Sequence, residues 1–196
     1  ISTPLFSVFK NYSKTVFLGT FIALATFVIF YLMTVFIAGW AISELNISRD
    51  EFLKDQIFSV IFFTIFIPIS AILADRYGRK LIIIIASLMI VIFGIFLASL
   101  LNLNNGDGLL ITLSLGMALM GFTYGPLGTI LSELYPTNVR YTGTSLSFNL
   151  AGIVGASFAP FIAMWLSANY GLQYVGYYLC IAALISMIAT KLSSSV

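Results

Sequence analysis

The sequence predicts an all-α membrane protein, a six-transmembrane-helix bundle, on three observations. The chain has 196 residues, of which 60% are hydrophobic and only 8% charged. An ordinary soluble core could not hide that much apolar surface, so the solvent this chain fits is lipid. The charges fall between long uncharged runs, each near the ~20 residues that cross a bilayer. A charge at mid-span costs roughly 2.5–3.5 kcal/mol, so the gaps between charges mark the spans. Finally, runs such as LIIIIASLMIVIFGIFLASLL (81–101) do not alternate apolar with polar residues, as the strands of a transmembrane barrel would.

The elements follow in order. STPLFSVFKNYSK (2–14) reads as a short interfacial helix. Thr3 suits its cap, Pro4 its first helical position, and Leu5, Phe6, Phe9 and Tyr12 the headgroup region. The first span covers 15–43. In the loop ISRDEFLKDQ (47–56), Ser48 and Glu51 have capping-box spacing, so the second helix begins there, ahead of its uncharged stretch 56–74. The third span covers 81–102 and the fourth 109–133, parted by the turn-like NLNNGDG (102–108). Residues 141–190 carry no charge and are too many for one helix. The polar, glycine-containing SANYGLQ (167–173) divides them into spans 142–166 and 172–190. The domain reading is thus an interfacial segment in 1–14, a bundle in 15–191 and a tail in 192–196. The chain starts at Ile1 and shows no signal-peptide pattern, so we expect it to be cut from something longer.

Orientation follows from the cations. Lys10, Lys14, Arg76, Arg79, Lys80, Arg140 and Lys191 lie on one side of these spans, and only Arg49 and Lys54 on the other. The positive-inside bias places both termini in the cytoplasm. A single cysteine, Cys180, excludes a disulfide framework. The absence of histidine removes the commonest metal ligand and general base, and no metal or cofactor is expected.

Two charged elements stand out in so apolar a chain. LADRYGRK (73–80) gathers Asp75, Arg76, Arg79 and Lys80 around Gly78, which allows a tight turn. Asp75 ends a helix and Arg79 opens one, both against the helix dipole, so each needs a partner elsewhere. SELYPTNVRYTG (132–143) offers one: Glu133 ends the fourth span, Pro136 breaks the chain and Arg140 leads into the fifth. Asp75, Arg76, Arg79, Glu133 and Arg140 form a candidate ion-pair network across helix ends, able to make and break as a gate.

These residues carry a resemblance. IPISAILADRYGRK (67–80) resembles the signature loop of the major facilitator superfamily, which lies between helices two and three and again between eight and nine. YGPLGTILSELYPTNVRYTGTSLSFNLAGIVGASFAPFIA (124–163) is similar to helices ten and eleven of the metabolite:proton symporter branch, whose members carry dicarboxylates, shikimate, citrate and osmolytes. One departure is Ala71, where the superfamily loop opens with glycine. The resemblance implies one half of a twelve-helix major facilitator fold, helices seven to twelve, with residues 1–14 ending the central cytoplasmic linker. It implies transport of a small polar metabolite by alternating access, with protons as the co-substrate and an N-terminal six-helix half as the partner.

Polar side chains at helical spacing near span centres are the candidate cavity residues. Tyr31 and Thr34 share a face with Phe27 and Ala38 on the first helix. Ser59 falls in the stripe Gln56, Ser59, Phe63, Phe66 and Ser70 on the second. Tyr124 lies with Gly121 and Gly128 on the fourth, next to Gly125-Pro126. Asn149 lies with Ser145, Gly152 and Ala156 on the fifth. Each has a plainer reading: helix packing for Tyr31 and the glycines, a bond to its own backbone for Thr34. No span holds an acid or base at its centre, so the proton site falls either in the other half or on Glu133. Intramembrane serine, metallo and aspartyl proteases lack their His or paired Asp here, so no enzyme is expected. The paired Asn-Pro-Ala of a water channel is missing. The few basic residues, interleaved with acids, do not suggest nucleic-acid binding. The remaining rival is a half-sized protein acting as a homodimeric transporter or a non-transporting scaffold.

Overall fold

The computed structural model describes residues 4–103 and 107–193. Thr3, expected to cap the first helix, lies outside the described residues, as do 104–106 of the turn and 194–196 of the tail. The elements are α1 (Pro4–Asn11), α2 (Ser13–Glu44), α3 (Arg49–Tyr77), α4 (Arg79–Leu101), α5 (Gly108–Ser132), α6 (Arg140–Tyr170) and α7 (Leu172–Leu192). The last six are long and apolar enough to cross a membrane, and no strand occurs among the described residues.

Each helix begins and ends for a local reason. Ser48 caps α3 by accepting the Glu51 backbone N–H at 3.2 Å, as its spacing predicts. Gly78 alone separates α3 from α4, with φ +98°, a conformation that side-chain-bearing residues rarely adopt. Gly171, also at φ +98°, alone separates α6 from α7. This corrects the expected turn over 167–173. Ser167 to Tyr170 stay helical, with the Asn169 amide donating back to the Trp165 carbonyl at 2.8 Å, so one glycine makes the whole reversal. Phe6 and Phe9 of α1 are exposed, the Leu5 side chain lies outside the described residues, and Tyr12, just past the end of α1, packs edge-on to Tyr135 at 6.4 Å.

Inside the helices, hydroxyls spend their bonds locally, because lipid offers them no partner. Thr20, Thr64, Thr112 and Thr190 each donate to the carbonyl four residues back. Ser186 does more: it donates to the Phe21 carbonyl at 2.8 Å and accepts the Ala25 N–H at 2.9 Å, so α7 grips α2 by its backbone. Residues 32–36 of α2 wind as a π-helical turn, Leu32–Phe36, with the long Met33 side chain laid against Gly116 of α5.

The helices pair across the two halves of the chain: α3 packs chiefly on α5, α4 on α7, and α2 on α6. Close approach needs small residues. A Cβ added to Gly176 would lie 2.1 Å from the Gly94 carbonyl oxygen, where α7 crosses α4, and the Cys180 thiol donates to the Val91 carbonyl at 3.2 Å at the same crossing. The main core lies around Ile29, Leu32, Met33, Ile90, Leu97 and Leu113. α3 and α6 are the least buried of the spans. They stand at the margins of the bundle and leave broad faces uncovered.

Candidate functional site

Two features bring the singled-out residues together. The first is a charged cluster at the end of the bundle where α3, α4 and α5 meet. Because Gly78 reverses the chain in one residue, Arg79 at the start of α4 folds back beside the last turn of α3. Its guanidinium meets an Asp75 oxygen at 3.2 Å and also the carboxylate of Glu133, which follows α5. One fixed fork of donors thus ties three helix ends. The Asp75 side chain is 71% exposed and Glu133 41%. Water screens the first pair most, so the bond to Glu133 is the stronger link. The cluster borders a concavity of about 500 Å³ lined by Asp75, Gly78, Arg79, Lys80 and Glu133.

The structure draws this network smaller than the five residues expected. Arg76 sits with its guanidinium carbon 5.4 Å from the Tyr77 ring centre, and Arg140 donates from Nε to the Tyr135 carbonyl at 3.1 Å. The chain geometry explains both. Arg76 is a step round the helix from Asp75, and Arg140 opens α6 beyond the Tyr135 turn. Lys80 also finds a partner: its ammonium donates to the carbonyl of Ser193, at the end of α7.

The second feature is a row of rings across four helices. Phe63 of α3 meets Tyr124 of α5 at 5.8 Å between centres. Tyr124 meets Phe148 of α6 at 6.5 Å, and Phe148 meets Phe27 of α2 at 4.9 Å. All are edge-on contacts, the favoured arrangement of ring quadrupoles. Phe27, Tyr31, Thr34 and Ala38 are each half-buried, and Tyr124 is 39% exposed. Beside Phe148 opens a concavity of about 590 Å³, lined by Ser132, Arg140, Tyr141, Thr144, Ser145 and Asn149. Here the Asn149 amide donates to the Ser145 carbonyl at 2.7 Å and lies 3.2 Å from its hydroxyl.

The other candidates are placed as follows. The Thr34 hydroxyl donates to its own helix, at the Phe30 carbonyl, 2.7 Å. The Tyr31 ring lies against Phe30 at 5.0 Å. Ser59 is fully buried between α3 and α5, donating to the Asp55 carbonyl at 2.7 Å and lying 3.3 Å from the Ser114 hydroxyl. Its stripe is the face that α3 turns to α5: Ser70 reaches the Gly121 carbonyl at 3.3 Å and Phe66 lies 6.3 Å from Phe122. Gly121 and Gly125 are where α5 touches the α3 backbone, and Gly128 looks into open space. Gly152 faces the Phe27 ring, whereas the Ala156 side chain lies outside the described residues.

Sequence reasoning missed Phe148, the ring that joins the two sides of the row, because an aromatic in a span first reads as lipid-facing. Its position next to Asn149 was the available signal. It also missed Thr144, whose buried hydroxyl has no partner among the described residues. No three His, Cys, Asp or Glu side chains gather into a metal-sized group among the described residues.

Comparison with known proteins agrees with this architecture. The chain is 41% identical to the inner membrane metabolite transport protein YhjE of Escherichia coli, over 98% of this chain and 45% of that protein. It is 28% identical to the proline/betaine transporter of Escherichia coli, over 85% of this chain and 33% of the relative. It is also 28% identical to the citrate-proton symporter of Klebsiella pneumoniae, over 90% of this chain and 40% of the relative. The chain therefore spans less than half the length of these relatives. No solved structure matches it. The family model of the Major Facilitator Superfamily matches residues 16–193, nearly every residue of the six spans, and the chain belongs to that superfamily.

Proposed function

We propose that this chain is the C-terminal half of a transporter that moves a small polar metabolite, of the organic-acid or osmolyte class, by alternating access and in symport with protons. The observation that carries the reading is the Arg79 fork, which ties the ends of α3, α4 and α5 through Asp75 and Glu133. Ion pairs across helix ends hold one arrangement of the bundle and must break for another, as rocking of two halves about a central site requires. Relatives named for metabolites, proline and betaine, and citrate with protons support the substrate class.

In this reading Tyr31, Thr34, Tyr124 and Asn149 line the substrate path, with the ring row as its floor. Ser59, sealed against Ser114, joins the path only in a state where α3 and α5 part. Arg76 and Arg140 flank the gate and Gly78 is its pivot. The proton site belongs to the partner half, since no carboxylate of this chain stands at a span centre, or else to Glu133. The two halves would sit in a bacterial inner membrane with the Asp75 end facing the cytoplasm, where the cations gather.

The test uses the protein at its natural length in proteoliposomes, with uptake of labelled proline, glycine betaine and citrate under an imposed pH gradient. Uptake of one of them, slowed about tenfold or more by Arg79→Ala at unchanged protein level, is the expected result. Equal loss of protein and uptake would reduce the cluster to a structural tie. A natural product near the 21.5 kDa of this chain would favour the homodimer or scaffold instead. For orientation, Tyr141→Cys, at a site 88% exposed, should react with an impermeant maleimide only from the cytoplasmic side. Reaction only from outside would invert the topology.

A further inference from the structure

On the outer surface of the bundle an apolar groove of about 310 Å³ runs between α2 and α7. Phe17, Leu18 and Phe21 form one wall, and Ile185, Ile188 and Leu192 the other. Phe17, Ile188 and Leu192 are 63%, 52% and 67% exposed, so the groove opens to lipid. The seam beneath it is fixed, because Ser186 bonds to the α2 backbone at Phe21 and Ala25.

Both walls end in a lysine at the same end of the bundle. Lys14 lies one turn before Phe17 and Leu18, on their face of α2. Lys191 follows Ile188 by three residues in the exposed stripe of α7 that also holds Ile181 and Leu184. The carboxylates at this end are Asp75 and Glu133, and Arg79 engages both. Glu44, Asp50, Glu51, Asp55 and Asp107 belong to the opposite end of the spans. Among the described residues, Lys14 and Lys191 have no ion-pair partner.

We propose that this groove holds an acyl chain of an anionic glycerophospholipid whose phosphate sits between Lys14 and Lys191. The chemistry is complementary at both ends: a greasy, lipid-open slot below two cations that lack a counter-charge. Basic residues at the membrane surface beside an inter-helix pocket are what anionic headgroups bind.

Native mass spectrometry of the natural-length protein in mild detergent tests the site, with phosphatidylglycerol and phosphatidylcholine of identical chains as probes. Wild type should retain phosphatidylglycerol in preference. Lys14→Gln with Lys191→Gln should weaken that retention roughly 30-fold and leave phosphatidylcholine unaffected. Lys54→Gln, at the other end of the spans, should change nothing. Ile188→Trp, which fills the slot, should lower retention of both lipids. Unchanged phosphatidylglycerol retention in the double lysine variant, or in Ile188→Trp, would overturn the proposal. So would equal affinity of the wild type for the two lipids.

Discussion

Tyr135 shows how much a single hydroxyl can organise. It is fully buried, stacks edge-on with Tyr12 of the surface segment, and its hydroxyl lies 2.7 Å from that of Ser147 in α6. Ser147 in turn donates to the Val16 carbonyl of α2 at 3.4 Å. Burial raises the Tyr135 pKa above the ordinary tyrosine value of about 10, although the Ser147 hydrogen bond pulls it back. The folded chain therefore holds this proton more tightly than the unfolded one. The resulting stability is whole below about pH 10 and is lost as pH rises through the folded value. Tyr135→Phe should cost about 1–2 kcal/mol at neutral pH. Its melting temperature should then fall less steeply than that of wild type between pH 9 and 11. A parallel fall would mean that other groups set the alkaline limit. The sequence showed Asp75, Arg79 and Glu133 as a cluster because charges set against a helix dipole need a partner elsewhere. It did not show Tyr135 and Ser147, because a tyrosine between helices has many possible partners and only the fold selects one.

At the level of elements, spacing of charges was enough to find the spans, since a bilayer taxes every charge. Helix ends came within a few residues, and the Ser48 cap was legible because capping is local chemistry. Helix crossings were not. The closest approach of α4 and α7 runs through Gly94 and Gly176, and although each stands four residues before another small residue, Ala98 and Cys180, only the fold selects which small positions meet. Gly121 and Gly128, by contrast, share a stripe but do different jobs: one touches the α3 backbone, the other faces open space. Gly176→Ala places a methyl against a backbone oxygen that cannot swing aside, and should cost about 1–3 kcal/mol or force the helices apart. Gly128→Ala should be harmless by the same measure, thermal unfolding in detergent. Equal losses would show that helix flexibility, not the crossing, is what these glycines supply.

For the whole molecule, the two single-glycine junctions fall at matching places. Gly78 joins the second and third spans, and Gly171 the fifth and sixth, with the same φ. The bundle therefore counts as three helices and three more, and the pairing α3 on α5, α4 on α7 and α2 on α6 joins each helix of one set to one of the other. The first three spans are also the more apolar set. This bears on how the chain enters a membrane as it is made. α2, α3 and α4 are greasy enough to leave the translocon for lipid unaided. Each later, more polar span then finds a docking partner already in place. Protease-protection mapping should show 1–103 fully inserted and 107–196 alone inserted less completely than in the whole chain. Full insertion of the second fragment by itself would make the order of synthesis irrelevant. Otherwise the order in which the ribosome delivers these helices acts as a chaperone encoded in the gene: the first half of the chain is the receptor for the second.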